Sequence, residues 1–187
     1  MISFLFCNLL IFFDQITKKA AQFYLKGNDA IPIIKDVFEL KYLENTSAAF
    51  GMDPISFLHN IFKFEVFTEN PQLYLDVRMG FFYVLTIAMV CAFIWAYLSI
   101  PGIKRFRFID WILIFMSAGA IGNLIDRITQ QYVVDFLYFK LIDFPIFNVA
   151  DIYVTCAAIA FLILGIFYYK DEDFEIIFKP QKDKVKV

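Results

Sequence analysis

MGFFYVLTIAMVCAFIWAYLS, residues 79–99, runs for 21 positions without an Asp, Glu, Lys, Arg or His. A helix needs about 20 mostly apolar residues to cross a bilayer, so this stretch reads as a membrane span. Working outward, residues 108–127 are apolar at first and polar at the far end, and residues 146–169 carry their polar groups at the start. Residues 1–24 give the weakest signal. Their purely apolar part ends at Phe13, and Asp14, Gln15, Lys18 and Lys19 follow. Thirteen residues are too few to cross alone, so either the helix continues through these polar side chains or the stretch is the core of a signal peptide. No basic segment precedes it and no small-x-small cleavage site follows it, which favours the continuous helix. The expected fold is a membrane all-α bundle of four transmembrane helices forming a single integral membrane domain over residues 1–187.

The remaining segments fill in that plan. Phe38, Leu40 and Tyr42 alternate with Glu39, Lys41 and Leu43, a strand-like period of two. The aromatic-rich stretch 55–67 suits a short interfacial helix. Residues 25–78 and 128–145 are expected outside the cytoplasm, the former as a small β-rich platform. The connector 100–107 holds Lys104, Arg105 and Arg107 with no acid, so the positive-inside tendency assigns it, with the tail 170–187, to the cytoplasm. Residues 25–78 hold five basic residues against eight acids, which suits the outer face.

Composition excludes several function classes. A net charge of -2 leaves no basic footprint for nucleic acid. Cys7, Cys91 and Cys156 are odd in number and lie in apolar runs, so they read as small hydrophobes without a disulfide framework. His59 is the only histidine, which rules out a multi-histidine metal centre and leaves a serine triad little support.

The polar residues inside the apolar frame carry the chemistry. Gly119, Gly122, Asn123 and Asp126 recur at i, i+3, i+4 and i+7, on one helix face, and Arg127 follows. Small residues there allow close helix packing, and Asp126 and Arg127 could pair with each other. Ionisable groups at membrane depth are costly, however, and usually face a functional cavity. Val133-Val134-Asp135-Phe136 sets a lone carboxylate among apolar residues. Phe147-Asn148-Val149-Ala150-Asp151 opens the last span, with Asn148, Asp151 and Thr155 on one face. Each group also has a plainer role. Asp151 could serve the helix dipole, Asp14 and Lys18 could form a local ion pair, and Asn45 could be a turn residue. Their joint placement is the stronger signal, because the expected topology brings all of them to the outer face in four separate segments. Two close carboxylates in a poorly solvated pocket share a proton, the charged member drawing a proton from water while the protonated one donates. That is metal-free amide hydrolysis, and no metal or cofactor is expected. A carboxylate-bound divalent ion would normally need a more oxygen-rich site.

Five ordered blocks resemble the lipoprotein signal peptidases, the type II signal peptidases. They are Asp14-Gln15-Ile16-Thr17-Lys18, Asn45-Thr46-Ser47-Ala48-Ala49-Phe50, the run from Gly119 to Arg127, Val133 to Phe136, and Phe147 to Asp151. The resemblance implies that Asp135 and Asp151 form a catalytic dyad. Spacing alone does not choose Asp135 over Asp126. It further implies that Asn123, Arg127 and Asn148 orient dyad and substrate, joined by Asp14, Lys18 and Asn45 across the cleft, with Asp126, Gly119, Gly122 and Ala150 in support. The implied reaction removes the signal peptide of a diacylglyceryl-modified prolipoprotein just before the lipidated cysteine. It takes place at the outer face of the bacterial cytoplasmic membrane, in contact with membrane lipid, and is blocked by the cyclic peptide globomycin. A monomer is expected. Two departures stand out: Ser47 occupies a position usually held by glycine, and residues 51–78 are longer than the family norm.

Two other functions compete. A transporter or channel subunit would bind an ion or proton in the polar cluster, but it calls for polar residues through the depth of several spans, and residues 79–99 have almost none. A lipid-handling enzyme of another reaction class would recruit a histidine or a phosphate-binding basic cluster.

Overall fold

The computed structural model describes residues 2–47 and 53–178. Residues 48–50 of the second sequence block, the start of the long segment at 51 and 52, and the tail from 179 lie outside the described residues. The order of elements is α1 (Ile2–Leu25), β1 (Ile31–Ile34), β2 (Phe38–Asn45), α2 (Pro54–Phe62), α3 (Glu65–Glu69), α4 (Pro71–Ser99), α5 (Arg107–Gln130), β3 (Val133–Tyr138), α6 (Val149–Phe167) and α7 (Asp171–Phe178). Short 3-10 turns at Lys104–Phe106 and Lys140–Ile142 link α4 to α5 and β3 to α6. Among the described residues, three helical stretches are long and apolar enough to cross a membrane: Pro71–Ser99, Lys104–Gln130 and Val149–Phe167.

The molecule is inside out by the standard of a water-soluble domain. Asp14, Lys18, Asp135 and Asn148 are among the most completely buried side chains, at 2% exposure or less. Phe4, Phe23, Val84, Trp95 and Phe167 are each more than two-thirds exposed. Lipid solvates apolar side chains as well as a protein core does, so the polar groups are the ones driven together. On α1 the buried stripe is Asp14, Lys18, Ala21 and Leu25, one helix face at intervals of three and four.

At the end of the bundle where these polar groups meet, a three-stranded antiparallel sheet in the order β1-β2-β3 caps the helices. Asn45 pairs with Val133 and Leu43 with Asp135, with an irregularity between Leu40 and Leu43. Val134 and Phe136 pack on Ala21 and Leu25 of α1, which holds β3 against the bundle. At the opposite end, Phe106, Ile109, Leu113 and Tyr169 form a second cluster.

Close approach of α5 to its neighbours rests on two glycines. A Cβ on Gly119 would lie 2.6 Å from the Ala150 carbonyl oxygen, and one on Gly122 would lie 2.6 Å from Asp14 Oδ2. Gly119→Ala must therefore push α6 away, and it is expected to lower stability by about 1–3 kcal/mol, read as a fall in Tm of the purified chain.

Several sequence expectations need correcting. Residues 55–67 do not form one helix. Lys63 adopts a left-handed conformation (φ 49°) that ends α2, and α3 starts afresh at Glu65. The second span belongs to a longer helix, α4, whose first two turns carry Gln72, Asp76 and Arg78. The helices that carry the spans expected at about 108–127 and 146–169 run Arg107–Gln130 and Val149–Phe167. Val133-Val134-Asp135-Phe136, expected only to lie outside the membrane, belongs to a strand buried on both faces. Asp126 and Arg127 do not pair with each other: Asp126 meets Lys18, and Arg127 turns to the Ser47 carbonyl. Ser47 itself is not among the residues of positive φ, so the site usually held by glycine demands no left-handed backbone here.

Candidate active site

Asp135 sits on β3 and is 1% exposed. Its Oδ2 accepts from Asn45 Nδ2 at 2.7 Å and its Oδ1 from Asn148 Nδ2 at 2.6 Å. Both amides are locked in orientation by backbone groups. Asn45 Oδ1 accepts the Ser47 N–H at 2.8 Å, and Asn148 Oδ1 accepts the Asp151 N–H at 3.0 Å. The donors facing Asp135 are thereby fixed before any substrate arrives. Burial, followed by the neighbouring Asp151 charge, pushes the Asp135 carboxyl up to about 7, against the opposing pull of the two amides.

Asp151 lies on the first turn of α6. Asn148 is the N-cap of that helix, and the two residues form a reciprocal capping box in which Asp151 Oδ2 accepts the Asn148 N–H at 3.1 Å. Asp151 Oδ1 accepts from Asn123 Nδ2 of α5 at 2.9 Å. One residue thus ties the two aspartates together, Asn148 using its side chain on Asp135 and its backbone on Asp151. The helix-dipole role open to Asp151 in the sequence is real, and it coexists with a lining position in a cavity between α4, α5 and α6.

Behind this pair stands a buried ionic cluster. Lys18 Nζ reaches Asp14 Oδ2 at 2.9 Å, Asp126 Oδ2 at 3.1 Å and Asn123 Oδ1 at 2.8 Å, spending all three of its protons. Asp14 Oδ1 accepts the Ala150 N–H at 2.9 Å, which pins the start of α6 to α1. Asp126 Oδ2 accepts the Val134 N–H at 3.1 Å, which pins β3 to α5. Gln15, whose role as a linker the sequence did not reveal, donates to the Gly122 carbonyl at 3.1 Å and to Asp126 Oδ1 at 3.0 Å. All the expected site residues except the close-packing Gly119 thus share one network or its rim. Gly119 lines the same cavity.

Arg127 occupies that rim. It donates through Nη2 to the Ser47 carbonyl at 3.2 Å, and its guanidinium lies 5.1 Å from the centre of the Phe82 ring. Its buried Nε has no hydrogen-bond partner among the described residues. The Tyr83 hydroxyl donates to the Arg127 carbonyl at 2.8 Å, so α4 holds the residue from a third side. Tyr83 and Phe82 lie in an apolar run that looks like ordinary membrane span, so nothing in that run marks them as neighbours of the site.

The aspartates open onto a cavity of about 540 Å³ between α4, α5 and α6. Its far wall is apolar, with Phe82, Met89, Phe93 and Met116. Polar groups therefore sit at one end of a greasy groove, an arrangement suited to a substrate with a scissile polar bond and a long apolar portion.

A multi-pass helical membrane protein with buried carboxylates at the mouth of an apolar groove defines a membrane-embedded enzyme class. The chain belongs to the signal peptidase (SPase) II family, whose model matches residues 6–167. It is 36% identical over 159 residues to the lipoprotein signal peptidase of Caldanaerobacter subterraneus subsp. tengcongensis, covering 84% of this chain and 91% of that protein. It is also 36% identical over 168 residues to the lipoprotein signal peptidase of Clostridium tetani, covering 88% and 90%. A solved structure described as a bacterial membrane enzyme superimposes with a TM-score of 0.65 at 26% identity, over 90% of this chain and 92% of that one.

Proposed function

We propose that this protein is an aspartic endopeptidase that removes the signal peptide of diacylglyceryl-modified prolipoproteins before the lipidated cysteine, with Asp135 and Asp151 as its catalytic dyad. The observation that carries the reading is Asn148, which bonds both aspartates at the mouth of the apolar groove. In its active form the dyad holds one proton. Its charged member takes a proton from water as the oxygen attacks the scissile carbonyl carbon. The protonated member donates to the carbonyl oxygen, and the peptide C–N bond breaks as the nitrogen receives a proton and leaves as an amine. Arg127 and Asn123 orient the peptide, and the groove between α4, α5 and α6 takes its lipid and apolar residues.

Two features favour a reaction that needs no metal. The carboxylates of Asp14 and Asp126 are already occupied by the Lys18 ammonium and by backbone donors. The dyad oxygens are held by fixed amides and a backbone N–H. On this reading α1 is a fourth span. Its 24 residues would cover about 36 Å, enough for a hydrocarbon core of about 30 Å. The sheet and the dyad then lie at the extracytoplasmic face of the bacterial inner membrane, where a monomer meets its lipid-anchored substrate and a globomycin-type cyclic peptide could compete for the groove. Residues 25–78 and 128–145 are extracytoplasmic, while 100–107 and 170–187 face the cytoplasm.

The test is cleavage by the purified chain in lipid nanodiscs. A lipidated precursor should be cut with a chelator present, and its unlipidated form should not. Flux in proteoliposomes, together with no peptide cleavage, would favour the transporter reading instead.

The pH profile offers a further check. Activity requires a protonated dyad member, so kcat/KM is expected to fall as pH rises through about 7, the Asp135 value. Asn45 donates to the charged form of Asp135 and holds its pKa down. Asn45→Ala removes that donor, so the alkaline limb should move to higher pH. A limb that stays in place or moves to lower pH would remove Asp135 from the titrating pair.

A further inference from the structure

We infer that the cavity between the starts of α1 and α5 binds the headgroup of a membrane phospholipid that carries both a phosphate and a primary ammonium. The inference needs only that the chain spans a bilayer, and it goes beyond the peptidase reading without depending on it.

The cavity has a volume of about 420 Å³ and is lined by Ile2 and Ser3 of α1 and by Arg107, Asp110, Trp111 and Ile114 of α5. The four α5 residues stand at i, i+3, i+4 and i+7, so one helix face supplies them all. Both helices run from this end of the bundle towards the aspartates, where Lys18 and Asp126 join them at 3.1 Å. Phe6 meets the Trp111 ring edge-on at 5.1 Å, so the helices are in apolar contact one turn in from the cavity mouth. The Tyr97 hydroxyl of α4 lies 3.0 Å from Ser3 Oγ and fixes the start of α1 from the other side.

Charge decides what fits. Arg107 is exposed and Asp110 half-buried, near enough to feel each other's charge. Among the described residues, neither side chain takes part in a hydrogen bond or an ion pair. Arg105, two positions earlier, is taken up by Asp173 of α7 and lies over the Tyr168 ring. Arg107 is therefore the guanidinium this cavity offers to a phosphate, a partner it can hold through two parallel hydrogen bonds. Asp110 stands one turn further along the same wall. It repels a headgroup of purely negative charge and attracts an ammonium placed beyond the phosphate. A primary ammonium also donates hydrogen bonds to that carboxylate, which a quaternary one cannot. The rim extends the fit to the rest of the lipid. Ile2 and Phe108 are 77% and 51% exposed, a surface for acyl chains. Trp111 suits headgroup level, where a ring with one polar edge bridges lipid and water. A lipid so held joins α1 to α5 at the end opposite the Lys18 cluster.

The chain holds two tryptophans, so Trp95→Phe leaves Trp111 as the sole fluorophore of its kind. Its emission in detergent micelles is titrated with phosphatidylethanolamine, phosphatidylglycerol or phosphatidylcholine, each with brominated, quenching acyl chains. The ethanolamine lipid should quench at about fivefold lower concentration than the other two, the selectivity one partly exposed ion pair supports. Asp110→Asn in the same background should abolish the preference over the glycerol lipid, and Arg107→Gln should weaken binding of all three. Soluble phosphoethanolamine, which lacks the chains, should not displace the lipid at equal concentration. Equal quenching by the three lipids, an unchanged preference in Asp110→Asn, or displacement by soluble phosphoethanolamine would each overturn the inference. The three-lipid comparison uses the unsubstituted cavity and needs no cleavage, so it decides the matter even where a variant does not fold.

Discussion

Asp135→Asn or Asp151→Asn is expected to cut the rate of signal-peptide cleavage by about 10²- to 10⁴-fold, because each removes a proton carrier from the dyad. Single-turnover cleavage of a lipidated precursor measures the loss directly, separate from binding. Full activity in either variant would sink the dyad assignment. A second consequence follows from the fixed amides. Asn45 and Asn148 each present an NH₂ group to Asp135, held there by the Ser47 and Asp151 backbone N–H groups. An asparagine at position 135 must face one of those donors with a donor of its own. Asp135→Asn should therefore also lose about 1–3 kcal/mol of stability, the usual cost of an unsatisfied buried polar group. Measuring Tm alongside the rate keeps the two effects apart.

Lys18→Met should give the largest loss of stability among single changes in the cluster. Lys18 is 2% exposed and bonds Asp14, Asp126 and Asn123 at once. Removing the ammonium leaves two buried carboxylates facing each other without a cation, at a cost of about 3–5 kcal/mol. Those carboxylates also hold the Ala150 and Val134 N–H groups, so the starts of α6 and β3 should loosen with them. Adding Asp126→Asn to Lys18→Met removes one unpaired charge and should restore part of the loss. Thermal unfolding of the two variants decides the matter. An unchanged Tm in Lys18→Met would mean that the ionic cluster does not hold the bundle end together.

Much of the fold was legible because membrane spans are read from length and polarity. Residues 79–99 needed no tertiary information to be recognised as a long apolar helix. The strand period at Phe38, Leu40 and Tyr42 likewise announced β2. The third strand was harder, since Val133 to Phe136 is buried on both faces and shows no alternation. The break between α2 and α3 also escaped notice: Lys63 in a left-handed conformation is a choice of backbone that composition does not advertise. At the site, the sequence supplied the identities of the polar residues but left Asp126 and Asp135 equivalent. Gln15 and Tyr83 stayed hidden, because each acts through partners distant in sequence.

The sequence by itself determined that this chain enters the membrane and which side chains resist it. In lipid the backbone must satisfy its own hydrogen bonds, so apolar length translates directly into helix. Tertiary structure decided which polar group meets which. Lys18 finds Asn123 across 105 positions, and Asp14 finds the Ala150 N–H across 136. Those meetings depend on how closely α5 can approach α1 and α6, a distance that Gly119 and Gly122 keep short. The same packing separates two carboxylates that look alike in sequence. It pairs Asp126 with a lysine and leaves Asp135 between two amides, beside Asp151.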